Sequence, residues 1–157
     1  MANTYTQIYI HTVFAVQDRT SVIQQTWKER LYKYITGIIQ NEGHKLIAIN
    51  GRPDHIHIFI GMKPLQSIAA LVQKIKANSS KWINENRLCV GRFSWQEGYG
   101  AFSCSHSQID SVVKYIMNQE VHHKKVTFTE EYRRFLKLFD IEYDARYIFE
   151  DVSSLRD

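Results

Sequence analysis

Prolines and cysteines are scarce in this chain of 157 residues, with two of each, and there are only seven glycines. Cys89 and Cys104 show no CxxC spacing and suit a reducing compartment, where they would serve as small buried residues. No Ser/Gly/Pro linker and no internal repeat divides the chain. One domain is therefore expected over residues 1–157, with a core of about 5–120 and a helical extension of about 121–157. No apolar run approaches membrane-spanning length, so no membrane partner is expected. The stretch MANTYTQIYIHTVF lacks the basic start and long apolar core of a signal peptide, and a cytoplasmic protein is expected.

What is present is ordinary globular material, 44% hydrophobic and 23% charged. The formal net charge of +4 fits a nucleic-acid partner without demanding one. Tyr5 to Val16, rich in β-branched and aromatic residues, predicts a strand. From Gln24 to Gln40, Trp27, Leu31, Tyr34, Ile35 and Ile38 recur at helical spacing, with Gly43 where a C-terminal cap belongs. HKLIAING predicts a second strand and HIHIFIG a third, joined through Gly51-Arg52-Pro53-Asp54. Pro64 to Asn84 predicts an amphipathic helix. Its inward face is Leu65, Ile68, Leu71, Val72, Ile75 and Ile83; its outward face is Lys74, Lys76, Ser79, Ser80 and Lys81. Phe93 to Cys104 predicts one interrupted strand or two short ones. The next helix has Ser107 and Asp110 near its start, and Val112, Val113, Ile116 and Met117 as its apolar contacts. A last helical segment runs from about Thr129 to Phe139. The order β-α-β-β-α-β with extra helices predicts an α+β fold. It is the ferredoxin-like, RRM-like split βαβ, an antiparallel sheet with helices on one face plus a C-terminal helix.

The chemistry lies in PDHIHIFI, residues 53–60. Side chains two apart on a strand share a face, so His55 and His57 project together and Ile56, Ile58 and Ile60 take the other side. Two imidazoles in register begin a divalent-metal site. Against that, HxH alone is a weak motif, and a single strand histidine is more often a satisfied core or surface residue. Tyr115 and Gln119 stand four apart, on one helical face. Glutamine's amide oxygen suits magnesium or manganese more than zinc, and an activated tyrosine can form a covalent intermediate. Singly, Tyr115 reads as a half-buried packing residue and Gln119 as a solvated one; the combination carries the reading.

HIH at 55–57 followed by Tyr115-x-x-x-Gln119 resembles the HUH single-tyrosine transposases of the insertion-sequence 200/605 family. The likeness extends in order through VFAVQDR, GRPDHIHIFIG, KIKANSSKWI, WQEGYGAFSCS and KYIMNQEVHHKK, up to about residue 140. It implies that His55, His57 and Gln119 hold one Mg²⁺ or Mn²⁺ and that Tyr115, on a C-terminal catalytic helix, attacks a phosphodiester of single-stranded DNA near hairpin ends. A 5′-phosphotyrosine would form and be resolved by a second 3′-hydroxyl, with no nucleotide cofactor. It also implies a homodimer whose active sites are shared between subunits. Arg52, Lys74, Lys76 and Lys81 are candidates for DNA phosphates, and Trp95 or Tyr99 for base stacking, although a solvated lysine face and a core tryptophan are the plainer readings. For His122 and His123 a DNA-phosphate or structural role is expected rather than ligation, and His11, His44 and His106 default to core or surface. Two rival readings are a zinc hydrolase using His55, His57 and His122 or His123, and a non-catalytic RRM-like nucleic-acid-binding module.

Overall fold

Four strands, β1 (Tyr9–Ala15), β2 (Lys45–Arg52), β3 (His55–Gly61) and β4 (Gly100–Cys104), form one antiparallel sheet in the order β2-β3-β1-β4. The computed structural model describes residues 3–18, 21–119, 126–144, 146, 148 and 149. Helices α1 (Lys28–Asn41) and α2 (Ile68–Glu85) link β1 to β2 and β3 to β4, which is the expected split βαβ. α3 (Ile109–Met117) and α4 (Phe128–Leu138) follow β4.

The sheet divides its residues by alternation. Ile10, Phe14, Ile56, Ile58 and Ile60 share one face and pack against Leu31, Ile35 and Ile39 of α1 and Leu71, Val72 and Ile75 of α2. Burying each large aliphatic side chain contributes about 1.5–3 kcal/mol, so this layer is the main source of stability. The opposite face is covered as well. Ile116 of α3 packs on Ala48 and Phe59, while Phe128, Tyr132 and Leu136 of α4 join Phe102 in the core. A bulge in β2 between Leu46 and Ala48 shifts the register, so that Ala48, Asn50 and Arg52 pair with Phe59, His57 and His55.

Local details differ from the sequence reading where caps decide them. α1 starts at Lys28 rather than Gln24, and Gly43 lies just past its end with φ +88°, a conformation that favours glycine. α2 starts at Ile68 because the Ser67 side chain accepts a hydrogen bond from the Ala70 N–H. Leu65 therefore precedes the helix and is 76% exposed instead of facing in. Ser79 is buried rather than outward, and accepts the indole N–H of Trp95 at 2.9 Å. Ser105 and Gln108, not Ser107 and Asp110, form the capping box ahead of α3. Met117, the last residue of α3, is 54% exposed. Between Phe93 and Cys104 there is one strand, β4, preceded by a single bridge between Trp95 and Val16.

Candidate metal centre and its tyrosine

The β2–β3 turn is tight, and Gly51 makes it possible. A Cβ at Gly51 would lie 2.3 Å from the carbonyl oxygen of His55. Past that turn, His55 and His57 point away from α1 and α2, as the alternation predicts, and both are fully buried.

Each imidazole is held from behind. His55 Nδ1 lies 2.7 Å from Asp54 Oδ1, and His57 Nδ1 lies 2.8 Å from His11 Nε2. Their Nε2 atoms are thereby aimed at one another's neighbourhood, the outer-shell arrangement that orients histidine ligands. His55 is also stacked on Phe128, with ring centroids 4.1 Å apart. Burial, followed by the facing His57, pushes the His11 imidazole down to about 3, while Glu131 pulls weakly the other way. His11 is thus neutral, and its Nε2 can accept a hydrogen bond from His57 Nδ1–H when His57 Nε2 is needed as a lone-pair donor.

Gln119 and Glu131 converge on the two Nε2 atoms, and Tyr115 joins them through Glu131. Gln119 Oε1 lies 3.2 Å from His55 Nε2, and the Gln119 amide donates to the Tyr115 carbonyl at 3.3 Å. α3 ends before Gln119, yet both side chains reach the same place. Glu131 Oε1 lies 2.9 Å from His57 Nε2 and 3.7 Å from His55 Nε2. The Tyr115 hydroxyl donates to the other oxygen of Glu131. Burial first, and then the Glu131 carboxylate, push the Tyr115 phenol well above tyrosine's ordinary range, which keeps the hydroxyl protonated for that bond.

Nitrogen and carboxylate donors of His55, His57 and Glu131 lie within 4.8 Å of one another. Two imidazoles, a carboxylate and an amide oxygen form a mixed set suited to Mg²⁺, Mn²⁺ or Zn²⁺, and the occupied Nδ1 atoms complete the fit. Sequence reasoning missed Glu131, Asp54 and His11. One signal was available for Glu131. It interrupts an apolar helical stripe of Phe128, Tyr132, Phe135 and Leu136, where a lone acid is buried on α4.

The DNA-contact candidates separate. Arg52 pairs with His55 across β2 and β3 and so shares its face. Lys74, Lys76 and Lys81 sit on α2, across the sheet from the histidines, and each is engaged with protein. Lys74 bonds Glu42 at 2.7 Å, and Lys81 lies 3.9 Å from Glu85. Lys76 donates to the Gln96 carbonyl at 2.8 Å and to the Gly98 carbonyl. Trp95 is packed against Phe14 and Phe93 in the core and offers no stacking face, whereas Tyr99 is 37% exposed. His122 and His123 lie outside the described residues.

Fold and site together define a split-βαβ protein with a metal-competent centre on the sheet face opposite α1 and α2. Residues 4–119 match the model of the family described as "Transposase IS200 like", and the chain belongs to that family of transposases. It is 24% identical over 119 residues to the ISDra2 transposase TnpA of Deinococcus radiodurans, covering 72% of this chain and 84% of that one. Among solved structures, a crystal structure described as a transposase from D. radiodurans R1 superposes with a TM-score of 0.59 at 21% identity, covering 74% of this chain and 94% of its own. A REP-associated tyrosine transposase, solved bound to a REP hairpin, superposes with a TM-score of 0.60 at 16% identity, covering 79% and 73%. At these identities the likenesses speak for the fold. No helix among the described residues is long and apolar enough to cross a membrane.

Proposed function

We propose that the chain is a cytoplasmic HUH single-tyrosine transposase that cuts and rejoins single-stranded DNA at the ends of its element. Tyr115 is the nucleophile; His55, His57 and Gln119 are metal ligands. The supporting observation is that these four side chains converge within one chain, inside a family of transposases. Bound Mg²⁺ or Mn²⁺ would supply Lewis acidity at the scissile phosphate. The Tyr115 oxygen attacks phosphorus, an O–P bond forms, and the bond to the 3′-oxygen breaks. The proton that Tyr115 gives up is balanced by the one the 3′-oxygen takes up as it leaves as a hydroxyl, and the 5′-phosphate stays on Tyr115. A second 3′-hydroxyl reverses the exchange, so one phosphodiester replaces another of similar energy and no nucleotide is consumed. Arg52, beside the pair, is the candidate for a nearby phosphate; Lys74, Lys76 and Lys81 would touch only DNA that wraps to the far side of the sheet. The relative solved with a REP hairpin supports hairpin-bearing single strands as substrate.

The test is a denaturing gel of labelled single strands from the DNA flanking the gene, incubated with Mn²⁺. A label at protein mass that requires both metal and Tyr115 is the expected result. Cleavage that survives Tyr115→Phe would sink the proposal. That outcome would favour a zinc hydrolase instead, a reading to which Glu131 lends weight because His₂Glu is a familiar hydrolytic zinc set.

A homodimer with shared sites is tested by mixing Tyr115→Phe with His57→Ala. Only subunits that exchange their tyrosine helices regain cleavage. Regain is expected for a homodimer with shared sites; no regain would mean that each Tyr115 serves the histidine pair of its own chain, which it faces with ring centroids of Tyr115 and His57 5.7 Å apart.

A further inference from the structure

Glu131 belongs to α4, beyond the residues that match the family, yet it sits at the middle of the site. It is 2% exposed, and both its oxygens are used. Oε1 faces the two histidine Nε2 atoms; Oε2 takes the Tyr115 hydroxyl. Neighbouring ligand atoms on an octahedral ion with bonds of ~2.1 Å lie about 3 Å apart. The pairs His57 Nε2–Glu131 Oε1 at 2.9 Å, His55 Nε2–Gln119 Oε1 at 3.2 Å and His55 Nε2–Glu131 Oε1 at 3.7 Å are near such edges. A hydrogen bond to one histidine would explain the first distance alone. It would not bring Oε1 toward His55 as well, nor leave Gln119 aimed at the same nitrogen.

We infer that Glu131 is a bridging ligand: one carboxylate oxygen completes the metal set of His55, His57 and Gln119, and the other holds the Tyr115 hydroxyl beside the ion. This rests on the metal-site reading given above and deepens it. Two consequences follow from the chemistry. A carboxylate adds the negative charge that two imidazoles and an amide lack, which strengthens binding of a dication. The same residue also positions the nucleophile, so loading the ion and seating Tyr115 are coupled through one side chain. The α4 stripe of Phe128, Tyr132 and Leu136, all buried, fixes where that carboxylate stands.

The experiment is calorimetric titration of the full chain with Mn²⁺ alone, for wild type, Glu131→Gln, Tyr115→Phe and His55→Ala, each checked by its melting curve. Expected is a loss of Mn²⁺ affinity of about tenfold or more in Glu131→Gln, a larger loss in His55→Ala, and little change in Tyr115→Phe. Glu131→Gln binding Mn²⁺ as tightly as wild type, while His55→Ala does not, would overturn the inference and leave the metal site standing. Wild type that fails to bind Mn²⁺ would overturn both. Should Glu131→Gln unfold, wild-type crystals grown with Mn²⁺ decide: an anomalous peak at bonding distance from a Glu131 oxygen supports the bridge, and a peak bonded to the histidines but away from Glu131 refutes it.

Discussion

Ile56, Ile58 and Ile60 lie toward α1 and α2, while His55, His57 and Phe59 lie toward α3 and α4, and all six are buried to the same degree. The two faces of β3 therefore differ in chemistry and not in exposure. On the first face any apolar side chain of the right volume gains from being removed from water, because the hydrophobic effect is non-directional. On the second, buried nitrogen and oxygen atoms are tolerable only where each has a partner at a defined distance and angle. His11, Asp54, Gln119, Tyr115 and Glu131 supply those partners. One face makes the domain stable; the other uses that stability to hold polar groups together at a site.

The contrast breaks most visibly at adjacent positions of β3. On the proposed mechanism His57→Gln should lower DNA cleavage by about 10³-fold or more, since losing a metal ligand would remove several kcal/mol of charge stabilisation in the transition state. Its melting temperature should stay within a few degrees of wild type, because an amide can still hydrogen-bond where the imidazole did. Ile58→Ala should behave the opposite way. Truncating a fully buried aliphatic residue costs about 2–5 kcal/mol, or on the order of 10 °C in a domain of this size. Cleavage per folded molecule should survive. Scanning calorimetry with a single-turnover cleavage assay reads both, and equal losses of both quantities in both variants would show that the faces are not separable.

How much of this was legible in the residues follows the same division. Strict alternation in HIHIFI shows the two faces at once, and the helical spacing of Leu31, Ile35, Leu71, Val72 and Ile75 shows what covers the first. The second face was legible only in its local part, His55 with His57 and Tyr115 with Gln119. Its remaining partners come from far along the chain: His11 is 46 residues from His57, and Glu131 is 74 residues from it. No periodicity links those positions, because tertiary packing of β1 and α4 brings them in. Leu65 and Met117 failed for a smaller reason, since the cap at Ser67 and the end of α3 cut the helices short of the periodic pattern.

Two positions tie the faces together and should show intermediate effects. Gly51→Ala drives a Cβ into the carbonyl of His55, so the β2–β3 turn must shift, at about 1–3 kcal/mol. Because the displaced backbone carries His55, Mn²⁺ affinity should fall along with stability, unlike in Ile58→Ala. Asn50→Ala removes the amide that donates to the carbonyls of Ile116 at 3.1 Å and Met117 at 3.2 Å, where α3 meets the sheet. The expected cost is about 1 kcal/mol, with faster hydrogen exchange confined to α3. Exchange that rises equally in α1 would mean Asn50 supports the whole domain and not the tyrosine helix.

The smallest expected effect concerns Lys76, far from the histidines, and it sharpens the claim that α2 serves structure. Its ammonium caps the carbonyls of Gln96 and Gly98 over the ring of Phe14, 5.2 Å from the centroid. Burial pulls its pKa from lysine's usual value down to about 8, against a weaker upward pull from Glu97. A folded pKa below the unfolded one means that the unfolded chain holds more protons between about pH 8 and lysine's ordinary range near ~10.4. Stability contributed by this site should therefore rise as pH climbs through that window. Lys76→Met removes the site, so wild type minus variant stability should increase from pH 8 to pH 10, measured by urea denaturation. A difference that stays flat would mean the carbonyl bonds hold the lysine charged, and a DNA-binding defect in Lys76→Met with unchanged folding would return α2 to the nucleic-acid surface.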